Sequence, residues 1–219
     1  MKVVAYIPIK LNNQRLPGKN LLPLGDRPVC DFIFNIISAV KGIDERYIFC
    51  SDDAIKEYMP STIRFLNRDP SLDGNQVKTM EIIHSFIEKV DADIYVLTHV
   101  TSPFLKPESI EMALHKVMYE GYDSAFCVER TQSLCWFRGK PLNYDLADIP
   151  RTQDIDPVFV ETNGFYIFKK EVAVQQNCRI GKNPYIFEID RLEAADIDTP
   201  DDYRFAQQIE KYLKERGAQ

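Results

Sequence analysis

Apolar positions along this chain alternate between short continuous runs and stretches with helical spacing. Val3–Ile7 is an unbroken apolar run, the signature of a strand buried on both faces. Val29–Val40 (V-C-D-F-I-F-N-I-I-S-A-V) has the length and period of a helix, with Pro28 just ahead at a first-turn position. Arg46–Cys50 reads as a strand, and S-D-D then opens a short helix that Ser51 or Asp52 can cap. Thr62–Leu66 reads as a further strand. Gln76–Val90 is amphipathic, with Met80, Ile83, Phe86, Ile87 and Val90 on one stripe. Asp93–Leu97 is strand-like, Pro107 opens a helix to about Tyr119, and Ser124–Val128 is a strand. From about Thr131 to Pro157 the period is lost. Trp136, Phe137, Pro141, Pro150 and Pro157 lie in a segment that reads as a small inserted arm, with a hairpin as its simplest form. Phe159–Lys169 and Pro184–Ile189 return to strand chemistry. The last helix runs from Pro200 to about Arg216, with Thr199 as its N-cap and Asp202 completing a capping box. The alternation predicts an α/β fold: a mainly parallel, doubly wound sheet with helices on both faces, forming one domain over residues 1–219 with 131–157 as an arm.

Composition narrows the function class. The 219 residues are enough for one sizeable core, and 45% hydrophobic with 27% charged residues is ordinary for a globular domain. A net charge of −6 argues against a general nucleic-acid binder. No run approaches the roughly 18 apolar residues that span a bilayer, and Met1 leads into the first strand without the pattern of a signal peptide. Five cysteines, an odd number with no C-x-x-C pair, read as free thiols in a reducing cytoplasm. His84, His99 and His115 are too scattered for a histidine metal cluster.

Against this acidic background, residues 7–20 (I-P-I-K-L-N-N-Q-R-L-P-G-K-N) gather Lys10, Arg15 and Lys19, and no carboxylate follows until Asp26. A strand feeding a cationic, irregular loop suits a polyphosphate, because free backbone N–H groups and side-chain cations converge on it. The alternative is a solvated surface turn. The loop is neither G-x-x-x-x-G-K-[ST] nor G-x-G-x-x-G. Near the other end, A-A-D-I-D-T-P places Asp196 and Asp198 at i and i+2, on one side of an extended segment. Two such carboxylates repel unless a cation joins them, and Mg²⁺ shares oxygen ligands with substrate phosphates. Otherwise, Asp198 only assists the helix cap and Asp196 is solvated. Directly after the strand near Leu97, T-H-V-T-S-P-F puts His99, Thr101 and Ser102 beyond a strand's carboxyl end, where ligands of doubly wound folds sit; alternatively, Thr101 and Ser102 only shape the turn ahead of Pro103.

I-P-x-K…R-L-P-G-K-N-L, T-S-P-F, T-N-G-F-Y-I-F and D-I-D-T-P-D-D, in that order and spacing over most of the chain, resemble the acylneuraminate cytidylyltransferases (CMP-sialic acid synthetases), with the CMP-Kdo synthetases as more distant relatives. The resemblance implies a single nucleotidyltransferase domain (GT-A-like) with a dimerisation arm, hence a homodimer. It also implies CTP and a 2-keto sugar acid as substrates, Mg²⁺ as cofactor and a CMP-activated sugar acid as product. A place in surface polysaccharide or lipopolysaccharide assembly is implied by the likeness alone. By position, Lys10 stands where the family usually has an arginine facing the triphosphate. Lys19 matches a family lysine and Asn20 its neighbour, and Asn13 falls where a serine or asparagine contacts the nucleotide. Arg68, in L-N-R-D-P, matches an arginine near the cytidine; Asn163 matches an asparagine near the sugar; Asp196 and Asp198 match the metal-binding aspartates. Lys19 and Asp198 are the expected catalytic pair, with Arg15 a further triphosphate ligand. Three departures stand out. Gln14 replaces a cation, His99 replaces a glutamine implicated in sugar binding, and Glu161 stands ahead of T-N-G where the family often has an arginine. Two alternatives remain at this stage: cytidylyl transfer to another acid or a phosphonate, and a GT-A-like glycosyltransferase. A non-catalytic nucleotide-binding paralogue is a third.

Overall fold

The structure, a computed structural model, describes residues 1–217; the last two residues of the expected domain lie outside them. Its centre is a seven-stranded sheet. In chain order the strands are β1 (Val3–Ile9), β2 (Glu45–Cys50), β3 (Arg64–Asn67), β4 (Ile94–Thr98), β5 (Ser124–Thr131), β6 (Val158–Lys169) and β7 (Pro184–Ile189). Their spatial order is β7-β5-β6-β4-β1-β2-β3. The helices are α1 (Val29–Ala39), α2 (Thr79–Lys89), α3 (Pro107–Tyr119), α4 (Lys170–Gln176) and α5 (Pro200–Glu215).

Alternation along β1 explains the layers. Val3, Ala5, Ile7 and Ile9 point into a core shared with α1, α3 and α5, while Val4 and Tyr6 point into a second core shared with α2 and α4. Both faces of the central strand are therefore dry, which is why it reads as a continuous apolar run. The expected parallel sheet is present with one departure. Every adjacent pair is parallel except the two made by β6, which runs antiparallel to β4 and β5. Parallel neighbours need a crossover, whereas antiparallel ones can be joined without a helix. The arm between β5 and β6 carries no α-helix, so β6 returns beside β5 in the opposite sense.

Local differences from expectation have local causes. Pro28 is the N-cap of α1, one position ahead of the first helical turn. The short helix after S-D-D is 3-10, and Asp52 caps it by accepting from Ala54 N at 2.9 Å. Helix α2 starts at Thr79 rather than Gln76, because Glu81 accepts from Lys78 N at 2.7 Å while Lys10 Nζ holds Asn75 Oδ1 at 3.1 Å. Helix α4 was not expected; it follows β6 without a break and is too short to show a period, ending at Asn177 with φ 49°. Thr199 and Asp202 form the expected capping box.

The arm contains a hairpin, Trp136–Phe137 against Lys140–Pro141, turned by Arg138 and Gly139 with φ of 51° and 77°. Gln132 Nε2 fastens its base to Thr152 O and Ile155 O at 3.0 and 2.7 Å. Trp136 and Phe137 are 56% and 59% exposed.

The chain moves outward in one direction from β1 through β2 to β3, and in the other from β4. The point where the order reverses lies between β1 and β4, where an open α/β sheet leaves a crevice beyond its strand ends.

Candidate active site

A cleft of about 490 Å³ opens at this switch point. Tyr6 and Leu97 come from the two central strands. Lys10, Asn13, Gln14, Arg15 and Lys19 come from the loop after β1, His99 from the loop after β4, and Asp198 from the segment before α5. Leu72, Val77, Ile82 and Ile83 give it an apolar wall.

The loop after β1 is braced from within. Leu16 is buried, Gly18 turns the chain with φ 65°, and the buried Asn20 donates from Nδ2 to Lys10 O at 2.8 Å. Asn20 thus sits beneath the loop rather than on the cleft wall. Lys19 Nζ reaches across to Asp198 Oδ1 at 2.8 Å and Ile197 O at 3.1 Å, and Arg15, 70% exposed, places a guanidinium nitrogen 3.0 Å from Asp198 Oδ2. The two ends of the chain therefore meet over one carboxylate. Lys10 Nζ instead holds Asp73 O at 3.3 Å and Asn75 Oδ1. Asn13 contributes a buried Oδ1 with no partner.

The residues of T-S-P have a different place. Thr101 and Ser102 do not line the cleft; Ile197 N donates to Thr101 O at 2.8 Å, and Ser102 N to His99 O at 3.3 Å. The turn therefore clips the D-I-D segment to the sheet. Ile197 is buried in the core between the two aspartates, so both carboxylates face away from it. Asp196 Oδ2 accepts from Asn163 Nδ2 at 3.1 Å, and Asp196 Oδ1 is buried without a partner. Asn163 is presented by an irregularity in β6, where pairing with β5 shifts between Glu161 and Tyr166. Gly164 makes it possible: a Cβ there would lie 2.8 Å from both Cys127 Sγ and Leu105 Cδ2.

Arg68 is buried, its side chain 2% exposed, and donates to Asp73 Oδ1 at 2.5 Å, leaving its Nε unpartnered. Ser51 Oγ donates to the other Asp73 oxygen. Tyr6 stacks on Phe86 at 4.0 Å and leaves its hydroxyl buried and unpaired. Burial pushes the His99 imidazole down to about 4, helped by the positive charge of Arg179 and Lys19 and opposed by Asp198. Its Nε2 is also buried without a partner. Buried polar atoms are normally satisfied. Four unpaired ones on a single cleft, from Tyr6, Asn13, Arg68 and His99, mark a surface built for a polar ligand.

Sequence reasoning passed over Tyr6, Asp73 and Arg179. Asp73 ends a four-residue 3-10 turn too short to show a period, and Tyr6 is indistinguishable in sequence from core. Arg179 follows the undetected α4; it sits 3.5 Å from the centroid of Tyr166 and 3.0 Å from Glu161. Among the described residues, no group of three or more His, Cys, Asp or Glu gathers as a metal site. The donor set nonetheless suits a hard cation that takes its remaining ligands from phosphate and water: two carboxylates, one with an orphaned buried oxygen.

The fold superposes on the solved structure of a CMP-2-keto-3-deoxy-manno-octonic acid synthetase complexed with CTP, with a TM-score of 0.72, 18% identity, and coverage of 99% of this chain and 100% of that one. That likeness shows the fold, an α/β sheet with its cleft at the switch point; the family model adds the class, a nucleotidyltransferase. The chain belongs to the cytidylyltransferase family, whose model matches residues 4–216. An N-acylneuraminate cytidylyltransferase of Oncorhynchus mykiss is 25% identical over 94% of this chain and 50% of its own length. A CMP-N,N'-diacetyllegionaminic acid synthase of Legionella pneumophila is 25% identical over 95% of this chain and 96% of its own. The chain spans about half the length of the N-acylneuraminate relatives.

Proposed function

We propose that this chain transfers CMP from CTP to a 2-keto sugar acid of the nonulosonate type, with magnesium as cofactor and pyrophosphate as the leaving group. The observation that carries the reading is the Lys19–Asp198 contact, which brings the cationic loop and the second aspartate of D-I-D onto one cleft of a family member; Asp196 is not among the residues that line it. The acceptor hydroxyl attacks the α-phosphorus. A new P–O bond forms, the bond to the bridging oxygen breaks with its electron pair going to pyrophosphate, and the hydroxyl proton passes to water. Such displacements depend on positioning and charge neutralisation more than on covalent catalysis. Lys10, Arg15 and Lys19 hold the triphosphate, Asn13 contacts the nucleotide, and the Arg68–Asp73 pair stands beside the apolar wall that receives the cytidine.

Asp196 and Asp198 would hold the magnesium. Bound there, it supplies charge neutralisation at the phosphate oxygens and a lowered pKa for a hydroxyl it touches. The unpaired Asp196 Oδ1 supports this assignment. Asp198 in turn neutralises Lys19 and Arg15 until the triphosphate arrives.

The arm, with Trp136, Phe137, Leu142, Leu146 and Ile149 all exposed, pairs two copies into a homodimer. Five free cysteines support a reducing, cytoplasmic setting, and no described helix is long and apolar enough to cross a membrane. The second reading, transfer to another acid or a phosphonate, is favoured by His99 and by Glu161, which carries an arginine of its own. Pyrophosphate release from CTP, measured with sialic, legionaminic, pseudaminic and Kdo acids, separates the two. Release with none of them, while CTP still binds, overturns the first.

A further inference from the structure

Arg179 lies between α4 and β7, outside every motif that carries the family likeness. Tyr166 backs one face of its guanidinium at 3.5 Å from the ring centroid, and Glu161 Oε1 accepts from one of its nitrogens at 3.0 Å. The Tyr166 hydroxyl donates to that same carboxylate oxygen at 2.5 Å, closing a three-residue clamp. Its remaining donors have no partner among the described residues. The side chain is 22% exposed against 44% for Glu161, so it is held rather than waving in solvent.

The clamp borders the cleft. The Tyr166 ring meets the His99 ring edge-on at 6.4 Å, and His99 lines the cleft with its unpaired Nε2. Two residues along β6 from Glu161, Asn163 reaches Asp196. The positive charge of Arg179 is felt at both His99 and Tyr6. An acid that approaches here must bring its carboxylate towards two aspartates and a triphosphate, all of one sign. A cation on the acceptor side offsets that repulsion, and Arg179 is a guanidinium there whose planar fork matches a carboxylate.

We infer that Arg179, aimed by Glu161 and Tyr166, receives the carboxylate of the acceptor acid. This inference rests on the cytidylyl-transfer reading and deepens it.

The test is isothermal titration of the panel acids, each against its methyl ester, onto protein loaded with magnesium and the α,β-methylene analogue of CTP. The wild type is expected to prefer acid over ester by at least tenfold. Arg179→Ala should cut that preference below threefold, Arg179→Lys should restore part of it, and Glu161→Gln should weaken it less than Arg179→Ala. The KM for acid should rise at least tenfold in Arg179→Ala while the KM for CTP stays within twofold, which also shows the variant is folded. A purely structural pin for the loop predicts instead that CTP and acid affinity fall together, or that the preference survives; either overturns the inference. If the wild type binds acids but releases no pyrophosphate, the transfer reading falls and the acid–ester comparison still decides Arg179. If it binds no acid at all, both fall.

Discussion

Lys19 Nζ and Asp198 Oδ1 lie 2.8 Å apart although 179 positions separate them in the chain. The contact pairs Asp198 with Lys19 and, at 3.0 Å, Arg15, two of the four cations that line the cleft; on the proposed function, triphosphate binding would release this carboxylate. Replacing that carboxylate should therefore have opposite effects on two measurements. Asp198→Asn should lower pyrophosphate release by about a hundredfold or more, the scale of losing a preorganised charge. The same variant should bind CTP more tightly in EDTA, since a competing anion has gone. Near-normal turnover with magnesium would remove Asp198 from the metal site.

Lys19→Met removes the other half. Hydrogen bonds to charged groups are each worth about 1.5–3 kcal/mol, and this lysine makes two contacts with the segment before α5. The melting temperature should fall by several degrees, and CTP should bind at least about tenfold more weakly. Calorimetry and titration check both; unchanged CTP affinity would show that the loop after β1 does not hold phosphate.

His99 gives a pH dependence with a definite sign. Its pKa is pushed from 6.5 to about 4, chiefly by burial. As pH falls, the unfolded chain takes up the proton first. Stability is therefore unaffected above about 6.5, declines between there and about 4, and is lowered by at most about 3 kcal/mol below. Urea midpoints of wild type and His99→Gln at pH 7 and 4.5 should diverge, with the wild type losing more. Parallel losses would mean that the imidazole is solvated.

Gly164→Ala puts a Cβ 2.8 Å from Cys127 Sγ and Leu105 Cδ2. Overpacking of this kind costs about 1–3 kcal/mol. Because the same irregularity presents Asn163 to Asp196, acid affinity should fall along with the melting temperature, while CTP affinity holds.

Trp136→Asp tests the arm. Sedimentation at micromolar concentration should give a dimer for the wild type and a monomer for the variant. A wild-type monomer removes the pairing.

Much of the site was legible because its chemistry is local. Three cations without a nearby carboxylate, and two carboxylates at i and i+2, are patterns that survive without coordinates. Asn20, matched by resemblance alone, and Thr101 and Ser102, which follow a strand end, do not line the cleft: Asn20 braces the loop, and Thr101 and Ser102 shape the turn that clips Ile197. A polar residue near a ligand and a polar residue that supports its neighbour look alike in one dimension. Arg179 was invisible for another reason. Its place depends on α4, whose seven residues are too few to show a helical period.

By itself the sequence determined the layers, the Thr199–Asp202 capping box and which residues could carry charge, because period, capping chemistry and composition act over a few residues. Pro107–Tyr119 and Pro184–Ile189 needed nothing more, and the strand expected over Val3–Ile7 runs only two residues further, to Ile9. Only the tertiary structure decided that β6 runs backwards, that Lys19 and Asp198, expected to act together, touch directly, and that Glu161 holds an arginine from beyond α4. Those facts depend on which distant strands become neighbours. That choice is made by burying both faces of one sheet at once, and no local stretch of chain contains it.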